Sequence, residues 1–146
     1  MEKKIMLVDD AAFMRMTIKN VLTKMGYTNL LEAADGAQAV EMYEKEHPDL
    51  VIMDITMPNM DGIQLLKELK KNANTSHIPI ILLTSQVEFS NRIEGLVQGA
   101  DGYLCKPFNT EELMVLITNL IANRVRLKGK YSGSQTQEGK IAPVEL

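Results

Sequence analysis

Apolar residues along this chain fall into two alternating patterns. Short unbroken runs stand at Ile5-Met6-Leu7-Val8, Leu50-Val51-Ile52-Met53 and Ile78 to Leu83, with weaker runs at Leu30 to Ala34 and Tyr103-Leu104-Cys105. Each has the length of a strand, and the three strongest are apolar at successive positions rather than at every second one. Strands of that kind are buried on both faces, as in a parallel sheet covered by helices. Between the runs the spacing is helical. Phe13, Met16, Ile18, Val21, Leu22 and Met25 form one stripe, closed by Gly26 as a C-terminal cap. Asp35-Gly36-Ala37-Gln38 and Asp61-Gly62-Ile63-Gln64 each set an acid three residues ahead of a glutamine, a variant of the capping box that opens a helix. Asn109-Thr110-Glu111-Glu112 does the same after Pro107. The last helix carries acids in its first turn and Arg124, Arg126 and Lys128 in its last, as the helix dipole favours. The order reads β-α five times, which predicts a three-layer α/β domain with right-handed crossovers. From Gly129 onward the periodicity stops among Gly, Ser, Gln and Thr residues. The expected organisation is one domain over 1–128 and a flexible tail or truncated linker over 129–146.

Composition narrows the picture without changing it. A chain of 146 residues, 45% hydrophobic and 24% charged, has the proportions of one soluble domain. No apolar run approaches the ~18 residues of a membrane span, and Met1-Glu2-Lys3-Lys4-Ile5 does not open a signal peptide. The single cysteine cannot form an intramolecular disulfide, so a reducing, cytoplasmic setting is expected. Sixteen basic residues against nineteen acidic ones leave a net charge of −3, which argues against nucleic-acid binding by bulk electrostatics.

Chemistry collects at the strand ends. In an open parallel sheet, ligands bind outside the carboxyl ends of the strands. The first run ends in Asp9-Asp10, the third in Asp54, the fourth in Thr84 and the fifth in Lys106. Each has an ordinary use: Asp10 could cap the first helix, Asp54 could open a turn, Thr84 could bond its own backbone, and Lys106 could be a solvated loop lysine. Together they put three carboxylates, a hydroxyl and an ammonium on one rim, which no apolar core requires. Clustered carboxylates repel one another unless a cation sits between them, and oxygen ligands in a pocket open to water suit Mg²⁺.

Val8-Asp9-Asp10, the stretch from Asp49 through Asp54 to Gly62, Leu83-Thr84-Ser85 and Lys106-Pro107-Phe108 together resemble the response-regulator receiver family, over about residues 3 to 126. That resemblance implies a flavodoxin-like (βα)5 fold with strand order 2-1-3-4-5. It implies Asp54 as the phosphoacceptor, with Mg²⁺ held by Asp10 directly, by Asp9 mostly through water, by Asp54 and by the backbone carbonyl of Thr56. Lys106 and the Thr84 hydroxyl would each take a phosphoryl oxygen, and the Ser85 backbone N–H would help. Thr56 and Gln86 would tune the lifetime of the acyl phosphate. The donor would be a phosphohistidine on a sensor histidine kinase or a phosphotransfer protein. On phosphorylation Thr84 would be drawn inward and Tyr103 would swing behind it. The surface made by the fourth helix, fifth strand and fifth helix would change for a downstream protein or output domain. A cis Lys106-Pro107 bond is implied as well. The chain would be a switch rather than an enzyme, acting on nothing but its own phosphorylation state.

Other readings of the same residues fare less well. A phosphatase of the haloacid dehalogenase class would need a second acid two positions after Asp54, where Thr56 stands. A flavin mononucleotide carrier would need a phosphate-binding loop where Asp9-Asp10 would repel it, and no Walker-type loop occurs. Val8 to Met16 with Asp54 to Pro58 is similar to free-standing chemotaxis-type receivers, whereas Leu83 to Phe108 and Arg124 to Lys128 look more like receivers in hybrid kinases or ahead of DNA-binding domains. Cys105 reads as a small core residue, and His47 and His77 lack the spacing of a zinc site. Phe13, Met14 and Met57 are expected to form an apolar rim beside the acidic pocket, where a kinase helix would dock.

Overall fold

In the computed structural model the described residues are 3–57, 60–71, 76–85 and 99–130; the side chains at 56, 57, 60, 61, 63 and 123–130 are not among them. The five apolar runs form β1 (Lys4–Val8), β2 (Asn29–Ala33), β3 (Leu50–Asp54), β4 (Ile80–Ser85) and β5 (Gly102–Lys106). They pair as one parallel sheet in the order β2-β1-β3-β4-β5. The helices are α1 (Ala12–Lys24), α2 (Gly36–Glu46), α3 (Gly62–Lys70) and α4 (Thr110–Lys130). The helix expected between β4 and β5 falls outside the described residues, as do Gln86 and most of the expected tail. A two-residue antiparallel ladder, Thr56–Met57 with Met60–Asp61, leads from β3 into α3.

The unbroken apolar runs serve two cores at once. Alternate residues of a strand point to opposite faces. Accordingly Met6, Val8, Val51, Met53, Ile80 and Leu82 pack with Tyr43 of α2 and Leu65, Leu66 and Leu69 of α3. Ile5, Leu7, Leu50, Ile52, Ile81 and Leu83 pack on the other face with Ile18, Val21 and Leu22 of α1 and Leu113 and Ile117 of α4. Fully burying a side chain of this kind contributes about 1.5–3 kcal/mol, so both faces are strongly specified.

The caps set the helix boundaries. Asp35 accepts from the Gln38 N–H at 2.9 Å, and the Gln38 amide oxygen accepts from the Ala34 N–H at 2.8 Å. Asn109 and Glu112 form the reciprocal box, with Asn109 Oδ1 accepting from the Glu112 N–H at 2.7 Å and the Asn109 N–H donating back to the Glu112 carboxylate at 3.4 Å. At the end of α1, Gly26 adopts φ +98°, and the N–H groups of Gly26 and Tyr27 donate to Thr23 and Leu22, each at 3.0 Å. That is the Schellman arrangement a glycine permits.

The apolar stripe of α1 lies in a different phase from the one its sequence suggests. Phe13 is 77% exposed and Met16 58%, while Met14 packs against the core with Ile18, Val21, Leu22 and Met25. The spacing from 14 through 18, 21, 22 and 25 follows one helical face, and at 100° per residue 13 and 16 fall outside it. Of the expected apolar rim, Phe13 is exposed, Met14 departs from the expectation by packing against the core, and the Met57 side chain is outside the described residues.

Candidate functional site

The parallel sheet delivers its strand ends to one rim, and register decides which residues meet there. Val8 pairs with Met53, so the next residues, Asp9 and Asp54, emerge side by side from adjacent central strands. One carboxylate oxygen each of Asp9, Asp10 and Asp54 lies within 4.8 Å of the others. Asp9 and Asp54 are buried, and Asp10 is exposed at the mouth. On β5, Lys106 sits beside Ser85 of β4, and its Nζ donates to Asp54 Oδ2 at 2.9 Å across the intervening strand. The Asp54 side chain is only 5% exposed, so the charge-assisted bond acts in a poorly solvated place where it holds the carboxylate in a set orientation.

Asp9 is bonded on one side only. Its Oδ1 accepts from the Ala11 N–H at 2.9 Å, whereas Oδ2 is buried with no hydrogen-bond partner among the described residues. Burial raises the Asp9 pKa; the Ala11 N–H and Lys106 work against that rise, and the neighbouring charges of Asp54 and Asp10 add to it. An orphaned carboxylate oxygen beside two further carboxylates is a poor arrangement for a bare chain and a fitting one for a hard divalent cation. The donor set is all oxygen, which suits Mg²⁺ rather than zinc.

The remaining expected residues are placed as follows. Thr84 is buried near the end of β4, and its hydroxyl donates to the Ser85 carbonyl at 3.0 Å, so in this geometry it satisfies its own backbone. Ser85 ends that strand beside Lys106. Tyr103 is half-buried on β5, level with Leu82, and packs against the core on the α2 and α3 face. Thr56 follows Asp54 by two residues and opens the short ladder. The Lys106-Pro107 peptide is cis. Cys105 is half-buried, and burial pushes its thiol pKa up, which disfavours the thiolate. His47 caps α2 in a left-handed conformation, φ 48°, a role its sequence context does not announce.

Two residues at this rim carry no strand-end signature. Arg15 on α1 donates to the main-chain carbonyl of Asp9 and, at 2.8 Å, to Glu32 of β2. The one available hint is that Glu32 is the only charged residue in β2.

The sequence profile described as the response regulator receiver domain matches residues 5–118. The chain is 44% identical over 121 residues to the chemotaxis protein CheY of Bacillus subtilis, covering 83% of this chain and 99% of that protein. It is 43% identical over 142 residues to histidine kinase P4 of Formosa agariphila, covering 97% of this chain but 10% of that protein. Among solved structures, the chemotaxis response regulator CheY4 of Vibrio cholerae superposes with a TM-score of 0.75 at 32% identity, over 82% of this chain and 99% of that one. No helix among the described residues is long and apolar enough to cross a membrane.

Proposed function

The chain belongs to the response regulator receiver family of two-component signalling, and from that premise we propose that it is a phosphorylation switch whose acceptor is Asp54. The observation that carries this reading is the asymmetry of the acidic cluster. Asp54 is tethered by Lys106, while Asp9 presents a buried oxygen with no partner among the described residues.

In the proposed reaction a carboxylate oxygen of Asp54 attacks the phosphorus of a phosphohistidine on a sensor kinase or phosphotransfer protein. The P–N bond breaks, its electron pair leaves with the imidazole nitrogen, and an acyl phosphate forms on Asp54. Asp9, Asp10, Asp54 and the Thr56 carbonyl would hold Mg²⁺, which supplies positive charge against the phosphoryl oxygens. Lys106 would exchange its carboxylate partner for a phosphoryl oxygen, and the Thr84 hydroxyl would leave the Ser85 carbonyl for another. The Ser85 N–H would assist. Movement of Thr84 would open space for Tyr103, shifting the population between two packings and so changing the surface around β5 for a downstream protein or output domain. Thr56 and Gln86, the latter outside the described residues, would set how water reaches the acyl phosphate. Phe13 and Met16 offer exposed apolar surface on α1, near the acidic loop, for a donor to dock against.

The test uses acetyl phosphate as donor in the presence of Mg²⁺ and reads the intact mass. The wild-type chain should gain one phosphoryl group and Asp54→Asn none. Labelling of Asp54→Asn to the wild-type extent would remove Asp54 as the acceptor.

A further inference from the structure

Arg15 lies in the first turns of α1 with its side chain 17% exposed, and it joins three pieces of the molecule. Its Nε donates to Glu32 Oε1 on β2 at 2.8 Å, and its Nη1 donates to the carbonyl oxygen of Asp9. Glu32 is itself fixed from a second side, because Lys19, one turn further along α1, donates to its other oxygen at 2.8 Å. The anchor on β2 is therefore a carboxylate shared by two cations, which holds the guanidinium fork in one orientation.

The consequence falls on the loop that carries the acids. β1 ends at Val8, and the chain leaves the sheet as it enters Asp9. The Asp9 N–H donates to the Ala33 carbonyl at 3.1 Å, its own carbonyl accepts from Arg15, and its Oδ1 accepts from the Ala11 N–H at 2.9 Å. Donor, acceptor and one carboxylate oxygen are thus all engaged, and the oxygen left over is the buried Oδ2, on a carboxylate that clusters with those of Asp10 and Asp54. The main-chain hydrogen bond that begins α1, from the Arg15 N–H to the Ala11 carbonyl at 3.1 Å, closes the loop from its other end.

We propose that Arg15 is a positioning residue for the acidic pocket: anchored on β2 through Glu32, it fixes the Asp9 peptide so that Asp9 and Asp10 are already set for a divalent cation. The proposal rests on the reading of Asp9, Asp10 and Asp54 as a Mg²⁺ site. It makes a prediction of sign that a charge argument reverses. A guanidinium near a cation site repels the incoming ion, so on Coulomb grounds alone its removal tightens Mg²⁺ binding. If the guanidinium positions the loop, its removal weakens binding, because the ion must then order the peptide itself.

The experiment is calorimetric titration of the intact chain with Mg²⁺ for wild type, Arg15→Ala and Arg15→Lys, with thermal unfolding in chelator recorded alongside. Arg15→Ala should weaken Mg²⁺ binding about tenfold, the lower end of what partners outside the ligand set contribute. Arg15→Lys should weaken it by a similar factor, since one ammonium keeps the charge but cannot span Glu32 and the Asp9 carbonyl as the planar fork does. Mg²⁺ affinity in Arg15→Ala equal to or tighter than wild type overturns the positioning role, whatever the change in melting temperature. Should Arg15→Ala not fold, Arg15→Lys decides by the same criterion. A wild-type chain that takes up no Mg²⁺ overturns the site reading and the positioning role with it, whereas wild-type binding with unaltered variants overturns only the latter.

Discussion

Burial raises the pKa of the Asp9 carboxyl above its ordinary value. The Ala11 N–H and Lys106 work against that push, and the charges of Asp54 and Asp10 reinforce it. A carboxyl whose pKa is raised by folding binds its proton more tightly in the folded chain than in the unfolded one. Its contribution to stability is therefore fully present below the unfolded pKa and is lost as pH rises through the folded value. The metal-free chain should accordingly be held back at neutral pH by the ionised Asp9 and relieved of that burden in acid. Asp9→Asn keeps an oxygen for the Ala11 N–H and removes the charge. In chelator it should unfold at higher urea than wild type near pH 7, by about 1 kcal/mol, a usual gain for relieving a strained functional group. The advantage should shrink toward zero as pH falls to about 3, below the ordinary Asp value, where the wild-type carboxyl is protonated in both the folded and the unfolded chain. Urea midpoints of the two proteins at both pH values check this, and a pH-independent difference would place the effect elsewhere than on the Asp9 charge.

At the scale of elements, the turn from β3 into α3 bears directly on Asp54. A Cβ placed on Gly62 would lie 2.3 Å from Ile55 Cα and 2.8 Å from Ile55 O, so the start of α3 crosses backbone to backbone over the residue that follows Asp54. Gly62→Ala should destabilise by about 3 kcal/mol, the upper range for overpacking, because the obstacle is main chain and cannot rotate away. It should also slow phosphorylation from acetyl phosphate, since relief of the clash moves Ile55 and Asp54 with it; urea unfolding and the labelling rate measure the two effects. That crossing was not legible in the sequence, where Asp61-Gly62 reads only as the cap of a helix. The sheet was legible, because strands such as Leu50 to Met53 feed two cores and so are apolar at every position. The phase of α1 was not, since Phe13 and Met16 are as apolar as the residues that are buried, and only packing separates them from Met14. The acids and Lys106 could be found as strand-end residues. Arg15 and Glu32 could not, because their part depends on a contact between a helix and the edge strand β2.

Over the whole molecule, the two cores hold β1 and β3 side by side and thereby fix Asp9, Asp10 and Asp54 within reach of one another, with Asp9 buried. The buried charge of Asp9 is a local cost supported by the rest of the fold, and a cation that binds only the folded state should offset it. Ligand linkage gives the size: about 2.7 kcal/mol when free Mg²⁺ stands at 100 times its dissociation constant. The wild-type melting temperature should therefore climb by several degrees as Mg²⁺ is added near pH 7 and by much less near pH 4, where protons compete for Asp9. Asp9→Asn should respond weakly at both. The order of stability then depends on the ion, with the Asn variant the more stable in chelator and the wild type the more stable in saturating Mg²⁺. Melting curves of both proteins along one Mg²⁺ titration should cross. Parallel curves would mean that Asp9 is buried for packing alone, and that the ion, if it binds, does so without it.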